Sequence, residues 1–108
     1  LGDFNINSKE DKKLDIYKSQ ENYWFVAHLN GCSNCKGTYY YAYEDNWSFL
    51  DTIFLSKDRD IKYIPQSIKV YSTPTNSYSD TGRPIKFNPK TKLGVSDHLP
   101  MVAKFILN

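Results

Sequence analysis

Trp47-Ser48-Phe49-Leu50-Asp51-Thr52-Ile53-Phe54-Leu55-Ser56 decides how this chain is read. Aromatic and β-branched side chains suit a pleated, half-buried surface, so Phe49 to Ser56 reads as a strand. Alternation puts Asp51 on the same face as Phe49, Ile53 and Leu55. That face is apolar, and a carboxylate within it calls for a hydrogen-bond or charge partner. The competing reading leaves Asp51 solvated near the strand's start.

Outward from this segment, Gly37 to Tyr43 reads as a second strand and Glu44-Asp45-Asn46 as the turn that joins the two into a hairpin. Ile64 to Tyr71 reads as a third strand whose start Pro65 places at an edge. Met101 to Leu107 reads as the last strand, and Leu1 to Phe4 as the end of one more. Ser8 and Asp11 have the spacing of a capping box. They start a helix in which Leu14 and Tyr17 share a face, ending near Gln20. Tyr23 to Leu29 is apolar and is read as a short helix. Thr73 to Gly94, with Pro74, Pro84, Pro89 and two glycines, reads as a polar loop of about 20 residues, a length usually reserved for function or disorder.

The chain has 108 residues, room for one domain, with nine Tyr, six Phe and two Trp. That aromatic excess favours sheet. No apolar stretch reaches the ~20 residues of a membrane helix, and Leu1 to Asn5 lacks the basic run and apolar core of a secretory leader. A net charge of +2 diagnoses neither nucleic acid nor an anionic membrane. Two cysteines exclude a disulfide-dense scaffold and a four-cysteine zinc module.

Three sets of polar residues do not fit a plain sheet. Asp51 is the first. Asp97-His98 is the second, placed at the mouth of a strand where catalytic side chains often sit. A carboxylate there can bind a hard cation, and an imidazole can move a proton near neutral pH. Gly2-Asp3-Phe4-Asn5 is the third: Asp3 and Asn5 point the same way while Phe4 packs inward. Alone, Asp97-His98 reads more readily as a turn aspartate beside a satisfied surface histidine, and Gly2 to Asn5 at least as readily as a turn or helix entry. Together they suit metal-assisted attack of water on a phosphate.

These residues resemble the endonuclease/exonuclease/phosphatase superfamily, the deoxyribonuclease I-like group. Leu1-Gly2-Asp3-Phe4-Asn5, Trp47 to Ser56, and Gly94-Val95-Ser96-Asp97-His98-Leu99-Pro100-Met101-Val102 carry the likeness, with a family-like Gly37-Thr38-Tyr39 between them. The resemblance implies an α+β fold, half of a two-sheet β-sandwich flanked by helices with mostly antiparallel sheet. It also implies phosphoester hydrolysis with Mg²⁺, or with Mn²⁺ or Ca²⁺. Asp3 then matches the acid that orients or activates water, and Asn5 the amide that helps hold the site and the phosphate. His98 matches the histidine on the scissile phosphate, Asp51 the acid that hydrogen-bonds it, and Asp97 an acid at or near the metal. The family's first half supplies an Asn, a Glu ligand and a second His without counterparts here. The resemblance therefore implies a C-terminal part, spanning residues 1–108, that pairs with a missing N-terminal half or with a copy of itself and is inert alone.

Other features carry weaker expectations. Arg83, Lys86, Lys90 and Lys92 face only Asp80 in the long loop and read either as a phosphate- or nucleic-acid-attracting surface or as a solvated loop. His28, Cys32 and Cys35 have zinc-like spacing but lack a second cysteine pair, so a local disulfide or two free thiols is preferred. Tyr39, Tyr41 and Tyr43 alternate on one face, as hairpin packing or as a stacking platform for bases. Within the family a phosphomonoesterase acting on a phospholipid or inositol phosphate competes with a nuclease or phosphodiesterase. Outside enzymes, the competitor is a non-catalytic interaction module.

Overall fold

The computed structural model describes residues 1–7, 15–29, 32, 34–57 and 60–107. The start of the expected first helix, with Ser8, Asp11 and Leu14, lies outside the described residues. In chain order the described elements are β1 (Gly2–Asp3), α1 (Ile16–Gln20), β2 (Trp24–Val26), a 3-10 turn (Ala27–Leu29), β3 (Tyr39–Tyr41), β4 (Asn46–Ser48), β5 (Asp51–Thr52), β6 (Phe54–Ser56), β7 (Ile61–Tyr63), β8 (Lys69–Val70), β9 (Met101–Val102) and β10 (Phe105–Leu107). All five strand pairs are antiparallel, and each sheet has two strands. The fold is mostly antiparallel β with one short α-helix among the described residues.

The segment from Asp51 to Ser56 takes two partners. Its first end pairs with β1, Gly2 opposite Thr52 and Asp3 opposite Asp51. Its second end pairs with β2, Phe25 opposite Leu55 and Val26 opposite Phe54. The tyrosine strand closes its hairpin one segment earlier than expected, on β4 rather than on Phe49 to Ser56, with Tyr40 opposite Trp47. Close approach sets this choice. A Cβ on Gly37 would lie 2.7 Å from the Ser48 carbonyl oxygen, so only glycine lets the backbones meet there. The Thr38 N–H donates to that same carbonyl at 2.9 Å.

Tyr23 to Leu29 also differs from expectation. Trp24–Val26 is a strand and only Ala27–Leu29 turns helically. An apolar run of this length has no periodicity that separates the two states, and pairing with β6 decides it. Of the expected third strand, Ile64 to Tyr71, only Lys69–Val70 is strand, and it follows a turn at Gln66, whose φ of 59° is left-handed. β7 and β8 on either side pair with β10 and β9.

The apolar core is Tyr17, Val26, Ala27, Phe49, Ile68 and Leu99, with Thr38 and Thr52 buried among the polar residues. Strict alternation fails between Phe49 and Thr52. Both are buried although three apart, and Asp51 is half-buried between them. Tyr17 donates its hydroxyl to the Ile6 carbonyl at 2.9 Å, satisfying its polar end inside the core.

The long loop is built rather than free. Ser77 bridges Pro84 and Asn88 bridges Leu93. Asn76, 7% exposed, accepts from the Thr73 N–H at 2.7 Å and donates to the Tyr71 carbonyl at 3.1 Å. Gly94 closes it with φ 79°, and a Cβ there would lie 2.3 Å from the Lys86 carbonyl oxygen.

Candidate active site

The β1–β5 register sets two carboxylates face to face, Asp3 across from Asp51. Like charges directly opposite on a sheet repel. His98 answers that repulsion. Its Nδ1 lies 2.8 Å from Asp51 Oδ2 and its Nε2 lies 3.9 Å from Asp3 Oδ2. One ligand atom from each of the three residues falls within 4.8 Å of the others.

His98 is brought there by the hairpin. The Leu99 N–H donates to the Thr38 carbonyl at 2.7 Å, and His98 bridges Tyr39 across the strands. The His98 N–H donates to Ser96 Oγ at 3.1 Å. The Tyr39 ring packs on the imidazole with centroids 5.1 Å apart. Leu99 is buried beneath, so the chain on both sides of the imidazole is pinned.

The geometry fixes the histidine tautomer. An ionised Asp51 only accepts hydrogen bonds, so Nδ1 carries the proton in that contact. Nε2 faces Asp3 at 3.9 Å, too far for a hydrogen bond. His98 and Asp51 side chains are 23% and 22% exposed, and Asp3 is 38% exposed, so the cluster is reachable from water. A cleft of about 350 Å³ opens beside it, lined among others by Asp51, Thr52, Ser96 and His98.

Asn5 sits next to this cluster along the chain. Its N–H donates to Asp3 Oδ1 at 2.9 Å, and its φ of 54° makes a tight turn that asparagine tolerates. Asp97 is exposed and falls outside the three-residue cluster. A hard divalent cation seeks about six oxygens. Asp51 meets the imidazole through Oδ2 alone, so each clustered carboxylate keeps oxygen to offer, and the cluster could supply only part of such a shell.

The loop cations divide. Arg83 lies 3.4 Å from Asp45 Oδ1 and stacks 4.0 Å over the Tyr40 ring. Tyr40 donates to the same Asp45 carboxylate, and that hydrogen bond raises the phenol above its ordinary value. Arg83 therefore ties the loop to the hairpin rather than standing free for a substrate. Lys86, Lys90 and Lys92 are exposed.

Cys32 and Cys35 are joined as a disulfide, which removes both thiols as zinc ligands. His28 is occupied elsewhere. Its Nδ1 pairs with the buried Thr52 hydroxyl, and its ring stands edge-on to Tyr17 and stacks on Phe49. Its Nε2 is buried without a partner among the described residues. Burial lowers its pKa from 6.5 to about 4, so it is neutral at pH 7.

No protein-family model, curated protein or solved structure matches this chain. Sequence reasoning did not single out Tyr39 and Ser96 as supports of His98, nor Thr52 as the partner of His28. Ser96, two residues before His98, did carry a local signal, since serine commonly accepts from the backbone two residues on.

Proposed function

We propose that this chain carries the histidine-bearing part of a divalent-cation-dependent phosphoester hydrolase of the deoxyribonuclease I-like kind, acting on a phosphodiester such as a nucleic acid. The observation that supports this reading most is the Asp51–His98–Asp3 arrangement. Asp51 orients the imidazole, and Nε2 is left to place positive charge or a proton on a phosphate oxygen. Asp3 would orient the attacking water, with Asn5 holding the turn and offering its amide to the phosphate. Asp3 would hold Mg²⁺, or Mn²⁺ or Ca²⁺, and such a cation supplies neutralisation of charge on phosphate when bound. Lys86, Lys90 and Lys92 would add a field that attracts a polyanion.

The remaining ligands belong to a companion half of the domain in this reading. It also gives a partner to the exposed aromatic and aliphatic residues Tyr23, Trp24, Ile106 and Leu107. Residues 1–108 alone are then expected to be inert.

The test is Mg²⁺-dependent hydrolysis of bis-p-nitrophenyl phosphate by the full-length protein. His98→Ala should lower the rate by about 10²–10⁴-fold. An undiminished rate removes the reading. On residues 1–108, Mn²⁺ should broaden the NMR signals of Asp3 and His98 before others, and uniform broadening would argue against the cation site.

A further inference from the structure

A second cleft lies away from the carboxylates. It has a volume of about 570 Å³ and forms between Pro74–Tyr78 and Ile85–Val95. That is within the usual range of small-ligand sites, about 300–1,000 Å³. Tyr78, Leu93 and Val95 are 52%, 68% and 58% exposed, yet all three line this one concavity with Ile85. Lys86 and Lys92 line it too, and none of its lining residues is acidic.

The cleft wall is held by backbone bonds together with the Asn88 side chain. The Ile85 N–H donates to the Asn76 carbonyl at 2.8 Å and the Val95 N–H to the Ile85 carbonyl at 2.8 Å. Asn88 and Leu93 bridge, and Asn88 Oδ1 accepts from the Lys90 N–H at 2.9 Å. Lys92 adopts φ 60°, uncommon for a lysine, and Gly94 has no room for a Cβ.

We infer that this cleft binds a small organic anion with an apolar body, of which an aryl phosphate is the simplest case. Lys86 and Lys92 line the cleft and bring positive charge to it. The Tyr78, Ile85, Leu93 and Val95 surfaces take the body and shed water as they do so. A bare inorganic anion gains only the first of these. The inference goes beyond the hydrolytic reading and does not depend on Asp3, Asp51 or His98.

The experiment is an amide-shift NMR titration of residues 1–108 in EDTA, with phenyl phosphate, butyl phosphate, inorganic phosphate and phenol as separate probes. Phenyl phosphate should bind at least about tenfold more tightly than inorganic phosphate or phenol, with shifts centred on Leu93 to Val95. Butyl phosphate distinguishes the two sources of the body. Affinity equal to phenyl phosphate assigns an alkyl phosphate as readily as an aryl one, and weaker affinity assigns the aromatic. Lys86→Gln and Lys92→Asn, the latter tolerant of the left-handed backbone, should each weaken binding about five- to tenfold, with amide spectra otherwise unchanged. Lys104→Gln, an exposed cation outside the cleft, should change it less than twofold. Phenyl phosphate no tighter than inorganic phosphate, an equal loss in Lys104→Gln, or shifts centred on Asp51 and His98 would each overturn the inference. None of these outcomes involves hydrolysis, so they leave the proposed activity to its own test.

Discussion

Acidification should weaken the fold through His28. The ring is neutral in the folded chain, with its pKa lowered from 6.5 to about 4 by burial. The unfolded chain therefore binds the extra proton first, and stability falls as pH drops through the window from 6.5 towards 4. The contribution is fully present above pH 6.5 and lost below it. Each tenfold in proton affinity is about 1.4 kcal/mol. Between pH 7 and pH 5 that gap amounts to about 2 kcal/mol for a fully enclosed ring, and to about 1 kcal/mol once partial solvent access is allowed for. A chain of this size loses about 1–3 kcal/mol per molar urea, so the urea midpoint should fall by about 0.5–1 M. The comparison chain is the double variant His28→Phe with Thr52→Val, which removes the titrating ring and its buried hydroxyl partner together. Urea melts of both at pH 7 and pH 5 cancel whatever the rest of the chain contributes, His98 included. Equal midpoint shifts in the two proteins would refute the argument that burial holds His28 neutral.

Other outcomes follow from single contacts. Asp51→Asn replaces an acceptor-only carboxylate at His98 Nδ1 with an uncharged amide that can also donate, and the hydrolysis proposed above should fall about 10²–10⁴-fold while near-ultraviolet circular dichroism stays unchanged. Gly94→Ala forces a left-handed alanine against the Lys86 carbonyl and should destabilise the chain by at least about 2 kcal/mol in urea melts. Thiol titration of the native chain should find no free cysteine and two after reduction, and the oxidised chain should bind no zinc at that pair.

Much of the site was legible as residue types and little of it as contacts. Asp51 stood out because a carboxylate interrupted an apolar run, and it does have the partner that such a position demands, His98. Asp3 stood out beside Gly2, and strand pairing places it across from Asp51. Asp97 looked equivalent to its neighbour, yet the chain bends at Asp97, which is exposed and lies outside the cluster. Arg83 looked like the other loop cations, and only the approach of the hairpin gave it Asp45 and Tyr40.

The sequence by itself determined that the chain is strand-rich, through its aromatic and β-branched runs, and where the odd carboxylates and histidine fall along it. Local preference does not choose partners. The tertiary structure decided that Tyr39–Tyr41 closes on Asn46–Ser48, that the Asp51–Ser56 segment is shared between β1 and β2, and that Trp24–Val26 is a strand. The hairpin is local and its register is set by close approach at Gly37, whereas the other two pairings join residues tens of positions apart, which no local window contains. The meeting of Asp3, Asp51 and His98 is a consequence of them.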